Sequence, residues 1–466
     1  MEFLWPFLTL QKWKFFNFVK CILQNLEKFK NVKYNIRING VNVLQNQEKL
    51  IERPEYIKKL NQWKNQDDLV KIVTGVRRCG KSKLFVLFQK ELLKDKSIKK
   101  EQIININLED LVTTRKIGLE YNNKNILVGY EKLLDFILEK LVENKENYVF
   151  IDEIQLLENW QNVANALRLQ SNVDVYLTGS NAYMFSGDLA NSFGGRYIEI
   201  KIQPFSFLEL FNALPKELKT EPLQEIYLRY IKESGFPQTL KFNSDMELIN
   251  DYLLNTVYLN TVQKDIMQRY NIANTNKLDS VIRYMFDNIG NETSLRNVEK
   301  GLKSSGYSVS APTIDLYLKG LLDSYLLYKC EQYDIKGKKI LNTNAKYYVA
   351  DVGLRNVILN NSDRDFGHIL ENVVFLELIR RGYKVNVGKC YNTEVDFVAT
   401  KNNTVEYYQV SLNVLNNDST LERELFSLEK LKNNYPKFLL TTDAGEGENN
   451  GIKRLNVFEW LLGRKP

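Results

Sequence analysis

Histidine is almost absent from this chain: His368 is the only one in 466 residues. Multi-histidine metal sites are thereby excluded, and a Ser-His-Asp triad could be built only around that residue. Cysteine is scarce as well. Cys21, Cys79, Cys330 and Cys390 are scattered and form no C-x-x-C pair, which argues against structural zinc and a disulfide framework and points to a reducing, cytoplasmic compartment. Long apolar runs are missing too. The N-terminal stretch MEFLWPFLTLQKWKFFNFVKCIL is aromatic, but Gln11, Lys12 and Lys14 interrupt it before it reaches the roughly 18 apolar residues of a membrane span, and it lacks a signal-peptide pattern. No integral membrane segment is expected, and the stretch reads as an extension or a partner-docking segment rather than a surface anchor. A strong net charge is the last absence. The formal +7 is compatible with DNA, RNA or an acidic surface and requires none of them.

What is present is an ordinary globular composition, 44% apolar and 26% charged. A chain of this length exceeds one core, and roughly 150 residues per domain gives about three folded parts. Arg53-Pro54 marks the start of the first, so residues 1–50 read as an N-terminal extension.

The sharpest signal is VTGVRRCGKSKLF, from Val73 to Phe85. Gly75-Val76-Arg77-Arg78-Cys79-Gly80-Lys81-Ser82 fits G-x-x-x-x-G-K-[ST] without mismatch, a pattern expected by chance in on the order of one per cent of chains this long. It follows the apolar run 69–73 and precedes a helical stretch, 83–93, as a phosphate cradle requires. Gly75 and Gly80 permit backbone angles that turn successive N–H groups inward, and Val76, Arg77, Arg78, Cys79 and Lys83 complete the wall. Lys81 brings charge to the β and γ oxygens of ATP, and Ser82 opens a helix and offers a hydroxyl to magnesium. Cys79, lying inside the loop, is expected to make nucleotide binding sensitive to thiol modification.

A second strand, in NYVFIDEIQ, ends in Asp152 and Glu153 about seventy residues after the loop. Asp152 is read as the partner of ATP-bound magnesium and Glu153 as the group that polarises the attacking water. A third strand, VDVYLTGSN, delivers Thr178, Ser180 and Asn181 to the crevice beyond the strand ends, one of them as a γ-phosphate sensor. Arg196, on the glycine-flanked turn of NSFGGRYIEI, is placed to reach phosphate either in the same chain or in a neighbouring subunit of an oligomer. A surface charge at a strand start is the other reading of that arginine.

Beyond the nucleotide domain, 221–276 is helical with a break at Gly235-Phe236-Pro237, as in a lid. Helices ending near Asn288, spanning Ser294 to Ser304 and starting at Ser310-Ala311-Pro312 precede two strand-like runs joined by DIKGKK, the outline of a winged helix. Its third helix carries Asp315, Asp323 and one lysine, which favours a scaffold over a DNA reader. In the last hundred residues Glu371 lies on a helix whose apolar side is Leu370, Val373, Val374 and Leu378. Two strands follow around Asn402-Asn403. A two-residue turn there pairs 401 with 404, sets Asp396 opposite Gln409 and Glu394 opposite Ser411, and puts Val395, Phe397, Tyr408 and Val410 on the other face. Glu371, Asp396 and Gln409 would then offer oxygen ligands to a second magnesium or manganese ion. A solvated polar rim is the alternative reading of these three residues.

The chain resembles prokaryotic AAA-family ATPases that carry a C-terminal domain of unknown function with restriction-endonuclease-like character. The stretches that carry the likeness are VTGVRRCGKSKL, YVFIDEIQ, LTGSN, GGRYIEI, PFSFLEL, SGFP, KYYVADVGLRN and GHILENVVFLELIRRGYKV with EVDFV and YYQVS, from about Arg53 to Asn456. The resemblance implies an α/β fold: a P-loop NTPase core of AAA type over 51–212, a helical lid or linker over 213–275, a winged-helix domain over 276–350 and a restriction-endonuclease-like α/β domain over 351–466. It departs from the family pattern in SGFP, where Ser234 replaces a second glycine, and in residues 1–50. The nuclease-like pattern, a helical Glu, then Asp, then Glu or Gln, any residue, Lys, matches Glu371, Asp396 and Gln409 and fails at Ser411. Two functions are therefore expected to compete: ATP hydrolysis catalysed by Glu153, Lys81 and Arg196 that gates a nuclease-like, nucleic-acid-facing domain, or an ATP-dependent signalling or scaffold protein whose degenerate nuclease-like domain binds a protein partner.

Overall fold

The computed structural model describes residues 50–123, 126–179, 193–360, 365–391, 393–415 and 418–464. The chain divides into two units, Met1–Leu50 and Ile51–Pro466, and the second is described below. The expected N-terminal extension lies outside the described residues, as do Ser180 and Asn181.

β-branched residues in a strand buried on both faces favour a parallel sheet covered by helices. Val70–Thr74 (β1), with all five positions buried, is such a strand. Ile103–Asn107 (β2) follows, then the two-stranded pair Glu120–Tyr121 (β3) and Leu127–Val128 (β4), then Asn147–Asp152 (β5), Val173–Gly179 (β6) and Tyr197–Lys201 (β7). The parallel sheet runs in the order β2-β5-β6-β1-β7. Strand β6 thus separates the strand that feeds the glycine loop from the strand that ends in the acidic pair. Alternation divides the sheet's side chains: Val73, Tyr148, Phe150 and Tyr176 join the core with helix Lys81–Leu92, and Val70, Ile72, Val149, Ile151, Val175 and Leu177 face helices Tyr130–Leu138 and Trp160–Arg168.

The lid region contains helices Phe207–Ala213 and Leu223–Glu233 and a helical run over 246–270 with π-helical turns at Tyr252–Tyr258 and Thr261–Met267. Helix Leu223–Glu233 ends at Ser234, whose φ of 77° and ψ of 154° lie where glycine is strongly preferred. Gly353 at the facing helix Val352–Leu359 approaches so closely that a Cβ there would come within 2.6 Å of the Ser234 Cβ.

Helices Thr275–Asp287, Leu295–Ser304 and Ala311–Asp323 stand where the winged-helix reading places them, followed by a hairpin, Leu327–Asp334 (β8) and Lys339–Val349 (β9). The hairpin is not a separate wing. Strand β8 pairs in parallel with Lys384–Cys390 (β10), so one sheet crosses the border expected at residue 350. Thr393–Lys401 (β11), Thr404–Ser411 (β12), Lys437–Thr441 (β13), Gly447–Asn449 (β14) and Ile452–Asn456 (β15) complete it in the order β14-β15-β13-β12-β11-β10-β8-β9. Helix Phe366–Arg380 lies across this sheet and is buried on every side from Ile369 to Leu378, rather than along one stripe, because the nucleotide domain covers its outer face: Arg380 donates to the Pro204 carbonyl at 3.3 Å.

The β11–β12 turn has Asn402 at φ 48° and Asn403 at φ 65°, and Lys401 pairs with Thr404 as the sequence implies. The face assignment differs. A bulge against β10, between Asn386 and Gly388, shifts β11 by one residue, so Val395 joins the core beneath helix Asp418–Glu429 while Phe397 packs against Phe375 of helix Phe366–Arg380. Among the described residues no helix is long and apolar enough to cross a membrane.

The strain at Ser234 can be isolated by two substitutions. Ala and Gly both remove the hydroxyl that accepts the Phe236 N–H at 3.1 Å, but only Gly relieves the backbone. Ser234→Gly is expected to be more stable than Ser234→Ala by about 1–3 kcal/mol in denaturant unfolding, and equal stabilities would show the angle to be unstrained.

Candidate functional site

The cradle is built where β1 ends. Gly75 has φ 147°, and a Cβ on it would fall 2.2 Å from the Ile202 carbonyl oxygen, so only glycine lets the loop pass that strand. Arg78 at φ 70° and Gly80 at φ 102° turn the chain back toward the helix. Lys81 is buried and its Nζ donates to the carbonyls of Gly75 at 3.1 Å and Val76 at 3.3 Å, spanning the loop. Arg53 braces the loop from behind. Its guanidinium reaches the Cys79 carbonyl at 3.2 Å and the Gln203 carbonyl at 2.8 Å and forms a two-pronged ion pair with Glu209 at 2.8 and 3.0 Å. Half of that brace is legible in the sequence, since Ser206-Phe207-Leu208-Glu209 has the spacing of a capping box. Nothing in the sequence marks Arg53 as its partner.

The acidic pair comes next. Asp152 and Glu153 are both buried, and the Thr178 hydroxyl lies between them, accepting the Glu153 N–H at 2.8 Å and donating to Asp152. Ser82 is also hydrogen-bonded to Asp152; burial raises this carboxyl's pKa against the pull of both hydroxyls. Glu153 adopts φ 54°, which turns its side chain out of the strand line, where Gln155 Nε2 donates to it. Thr178 is thus the member of the third-strand group that the described residues bring to the site.

Three loop and turn residues stand differently from expectation. Cys79 is fully buried with its Sγ 3.8 Å from the Ile202 carbonyl, pointing away from the cradle, and burial pushes its thiol pKa up. The expected thiol-sensitive contact with nucleotide is therefore replaced by a packing role. Arg77 turns outward into a two-pronged pair with Asp265 of the second π turn, at 3.0 and 2.8 Å. Arg196 is exposed and precedes Tyr197, which pairs with Val70 at the start of β1. That register places it about 13 Å behind the cradle along the sheet, so the same-chain reading is corrected: strand direction puts it at the opposite end of the strands from the cradle.

In the C-terminal sheet the expected trio is split. The bulge carries Asp396 to the side of helix Phe366–Arg380, near Glu371, while Gln409 turns its amide the other way, donating to Glu424 at 2.8 Å and accepting from Ser427 at 3.4 Å. Gln409 meets Asp396 only through that residue's N–H, at 3.3 Å. Lys346 of β9, which sequence reasoning missed, sits among the acids instead: its Nζ is 2.8 Å from Glu371, 2.7 Å from Glu394 and 3.7 Å from Asp396. Its own strand KYYVA shows only a polar residue beside tyrosines. Tyr348 donates to Glu371 at 2.6 Å, and Lys389 donates to Glu394 at 2.7 Å. Burial opposes the Lys346 charge, but the three carboxylates hold its pKa well above the ordinary lysine range. Burial would raise Glu394 too, yet Lys346 and Lys389 hold it down at about 2, while burial and the Glu371 charge push Asp396 up to about 8.

A parallel sheet in this order, a glycine loop after its buried strand and an acidic pair joined by an intervening threonine define an AAA-type P-loop domain. A family model described as an AAA domain matches residues 67–211, and one described as a domain of unknown function (DUF8612) matches 224–365. The chain belongs to one family with an uncharacterized protein of Haemophilus influenzae, to which it is 36% identical over 415 residues, 89% of this chain and 99% of the relative. An uncharacterized protein of Methanocaldococcus jannaschii is 31% identical over 376 residues, 78% of each chain. Among solved structures, AMPPCP-bound DnaA from Aquifex aeolicus is 13% identical with a TM-score of 0.29, covering 57% of this chain and 86% of that one. Drosophila ORC bound to DNA gives 13%, 0.29, 73% and 99%.

The Cys79 geometry yields a direct test. In the native chain, maleimide is expected to leave the Cys79 peptide unmodified with or without ATP, and to modify it only after denaturation, read by peptide mass spectrometry. Fast labelling that ATP blocks would return the thiol to the cradle.

Proposed function

We propose that this chain is a magnesium-dependent ATPase whose nucleotide state is passed to its C-terminal α/β sheet. The observation that carries this reading is the Thr178 hydroxyl, which ties Asp152 and Glu153 to the strand beside the cradle. The residues fit magnesium-ATP: a loop held open because a Cβ on Gly75 would collide with Ile202, a lysine at its mouth, and the oxygen donors Ser82 and Asp152. Magnesium, when bound, supplies charge that offsets the phosphate oxygens. Gly75 to Lys83 would hold the phosphates, with Ser82 and Asp152 holding the ion. Lys81 would leave the Gly75 and Val76 carbonyls for the β and γ oxygens. Glu153, released from Gln155, would take the proton of the water that attacks the γ-phosphorus as the bond to the β-phosphate oxygen breaks.

The contacts that would transmit nucleotide state begin in the loop itself. Arg77 is paired with Asp265 of the helical run, and Thr74, the residue before Gly75, donates to Glu199 at 2.8 Å, which also accepts from Tyr325 at 2.7 Å next to the C-terminal hairpin. Arg196 would serve the cradle of a neighbouring copy, since its own is out of reach. For the C-terminal sheet the resemblance supports a nucleic-acid-facing role. A second reading, a partner-binding scaffold, is favoured by Ser411 in place of the expected lysine and by Lys346 among the acids. Binding of labelled DNA and RNA to the full chain, with and without magnesium and ATP, separates the two.

For turnover, Lys81→Ala is expected to abolish ATP hydrolysis, and Glu153→Gln to keep ATP binding while slowing hydrolysis about 10²–10⁴-fold. Parental turnover in a folded Glu153→Gln chain would remove that residue from the role of base. Arg196→Ala should be inactive alone and regain part of its activity when mixed with Lys81→Ala, because each supplies what the other lacks. An Arg196→Ala chain that hydrolyses ATP at the parental rate on its own would make Arg196 a surface charge.

A further inference from the structure

The C-terminal acids raise a question that the nucleotide site does not. Glu371 from helix Phe366–Arg380 and Glu394 and Asp396 from β11 converge from two elements, and a converging set of carboxylates needs positive charge to remain ionised in a buried setting. The charge comes from β9. The Lys346 side chain is 6% exposed, and its three carboxylate neighbours are 9%, 29% and 12% exposed. The surrounding hydrogen bonds are directed so that the acids present oxygen lone pairs to that ammonium. Tyr348 donates to Glu371, the Val410 N–H donates to Asp396 at 2.9 Å, and Lys389 closes the outer side through Glu394 and Glu292. His368 Nδ1 lies 3.5 Å from the second Glu371 oxygen.

The donor set that the nuclease-like resemblance implies for a divalent ion therefore does not fit one. Gln409, its third member, faces the opposite side of the sheet, and among the described residues no group of three His, Cys, Asp or Glu is arranged to hold a metal. We propose that Lys346 is a resident cation that occupies the oxygen cage of Glu371, Glu394 and Asp396, excludes divalent ions from it, and leaves a divalent-ion site only when the ammonium is removed. The ammonium, already withdrawn from water by burial, meets one oxygen from the helix and one from β11 within 2.8 Å and faces the third, of Asp396, at 3.7 Å. A magnesium ion, which dehydrates reluctantly and seeks about six oxygens near 2.1 Å, would have to displace it. The inference concerns the sheet that the second functional reading invokes and does not depend on ATP turnover.

The test is manganese binding to the full-length, nucleotide-free chain, with free Mn2+ counted by electron paramagnetic resonance and thermal midpoints measured in parallel. The parental chain should retain no Mn2+ at micromolar concentration and show no shift. Lys346→Met should gain one Mn2+ per chain and a higher midpoint with Mn2+, and both gains should vanish in Lys346→Met with Asp396→Asn. Removing the ammonium strands buried charges, so Lys346→Met can fail to fold; Lys346→Gln, which keeps donors toward the acids, is the second variant. Folding rescued by Mn2+ in either variant supports the proposal. A parental chain that binds Mn2+ and loses it in Glu371→Gln overturns it, making Lys346 a neighbour of the ion rather than its substitute. So does a folded Lys346→Gln chain that gains nothing, or a pair of unfolded variants that Mn2+ does not restore.

Discussion

Four backbone residues, Ile202 to Phe205, hold the nucleotide loop to the rest of the molecule. Ile202 donates to Thr74 at 2.8 Å, and its carbonyl is the wall that forces glycine at position 75. The Gln203 carbonyl takes Arg53, the Pro204 carbonyl takes Arg380 of the C-terminal helix, and Phe205 exchanges bonds with Gly235 and Tyr230. A segment leaving a sheet edge has backbone groups that burial would leave unpaired. Here each is met by a different part of the chain, so the segment fixes the cradle, the lid break and the C-terminal helix to one frame.

That frame explains why Ser234 tolerates an angle suited to glycine. Phe205 donates to the Gly235 carbonyl at 2.7 Å and Asp351 accepts the Gly235 N–H at 2.7 Å, so the turn is held from both sides. The following Pro237 lies against the cradle, where a Cβ on Gly80 would touch it at 3.5 Å. Strain of this kind persists only where the surroundings over-determine it, and the turn lies between the cradle, through Pro237, and the helix that starts at Val352, through Asp351.

The local chemistry was largely legible in the sequence because it depends on short spacing. The glycine loop, the Asp152-Glu153 strand end, the helix starts at Ser294 and Ser310 and the Asn402-Asn403 turn are all set by residues within a few positions of one another. The rest depends on what lies across space. The position of Arg196 follows from the direction of β7, the all-round burial of Phe366–Arg380 from the nucleotide domain pressing on it, and the merging of the hairpin into the large sheet from β8 pairing with β10. The hairpin register was correct and Phe397, Tyr408 and Val410 share the expected apolar face, but Val395 and Asp396 do not keep the faces that alternation assigns them. A single bulged residue, invisible in an alternating pattern, moved Asp396 away from Gln409 and toward Lys346.

The two acidic groups differ in how their charge is answered. Asp152 and Glu153 are held by hydroxyl and amide donors, Thr178, Ser82 and Gln155, which orient carboxylates but leave their net charge for a cation still to come. Glu371 and Glu394 are answered by ammonium groups fixed in the sheet, while burial and the Glu371 charge push Asp396, 3.7 Å from Lys346, toward its neutral form. Neutral donors at one site and resident cations at the other are opposite solutions to the same desolvation cost. The first orients its carboxylates without neutralising them. The second makes a joint, because Lys346, Glu371 and Glu394 belong to the hairpin, the buried helix and the bulged strand, and Lys389 extends the joint to Glu292 between the first and second helices of the three-helix segment. The same joint therefore ties the three-helix segment, the hairpin and the buried helix to one sheet.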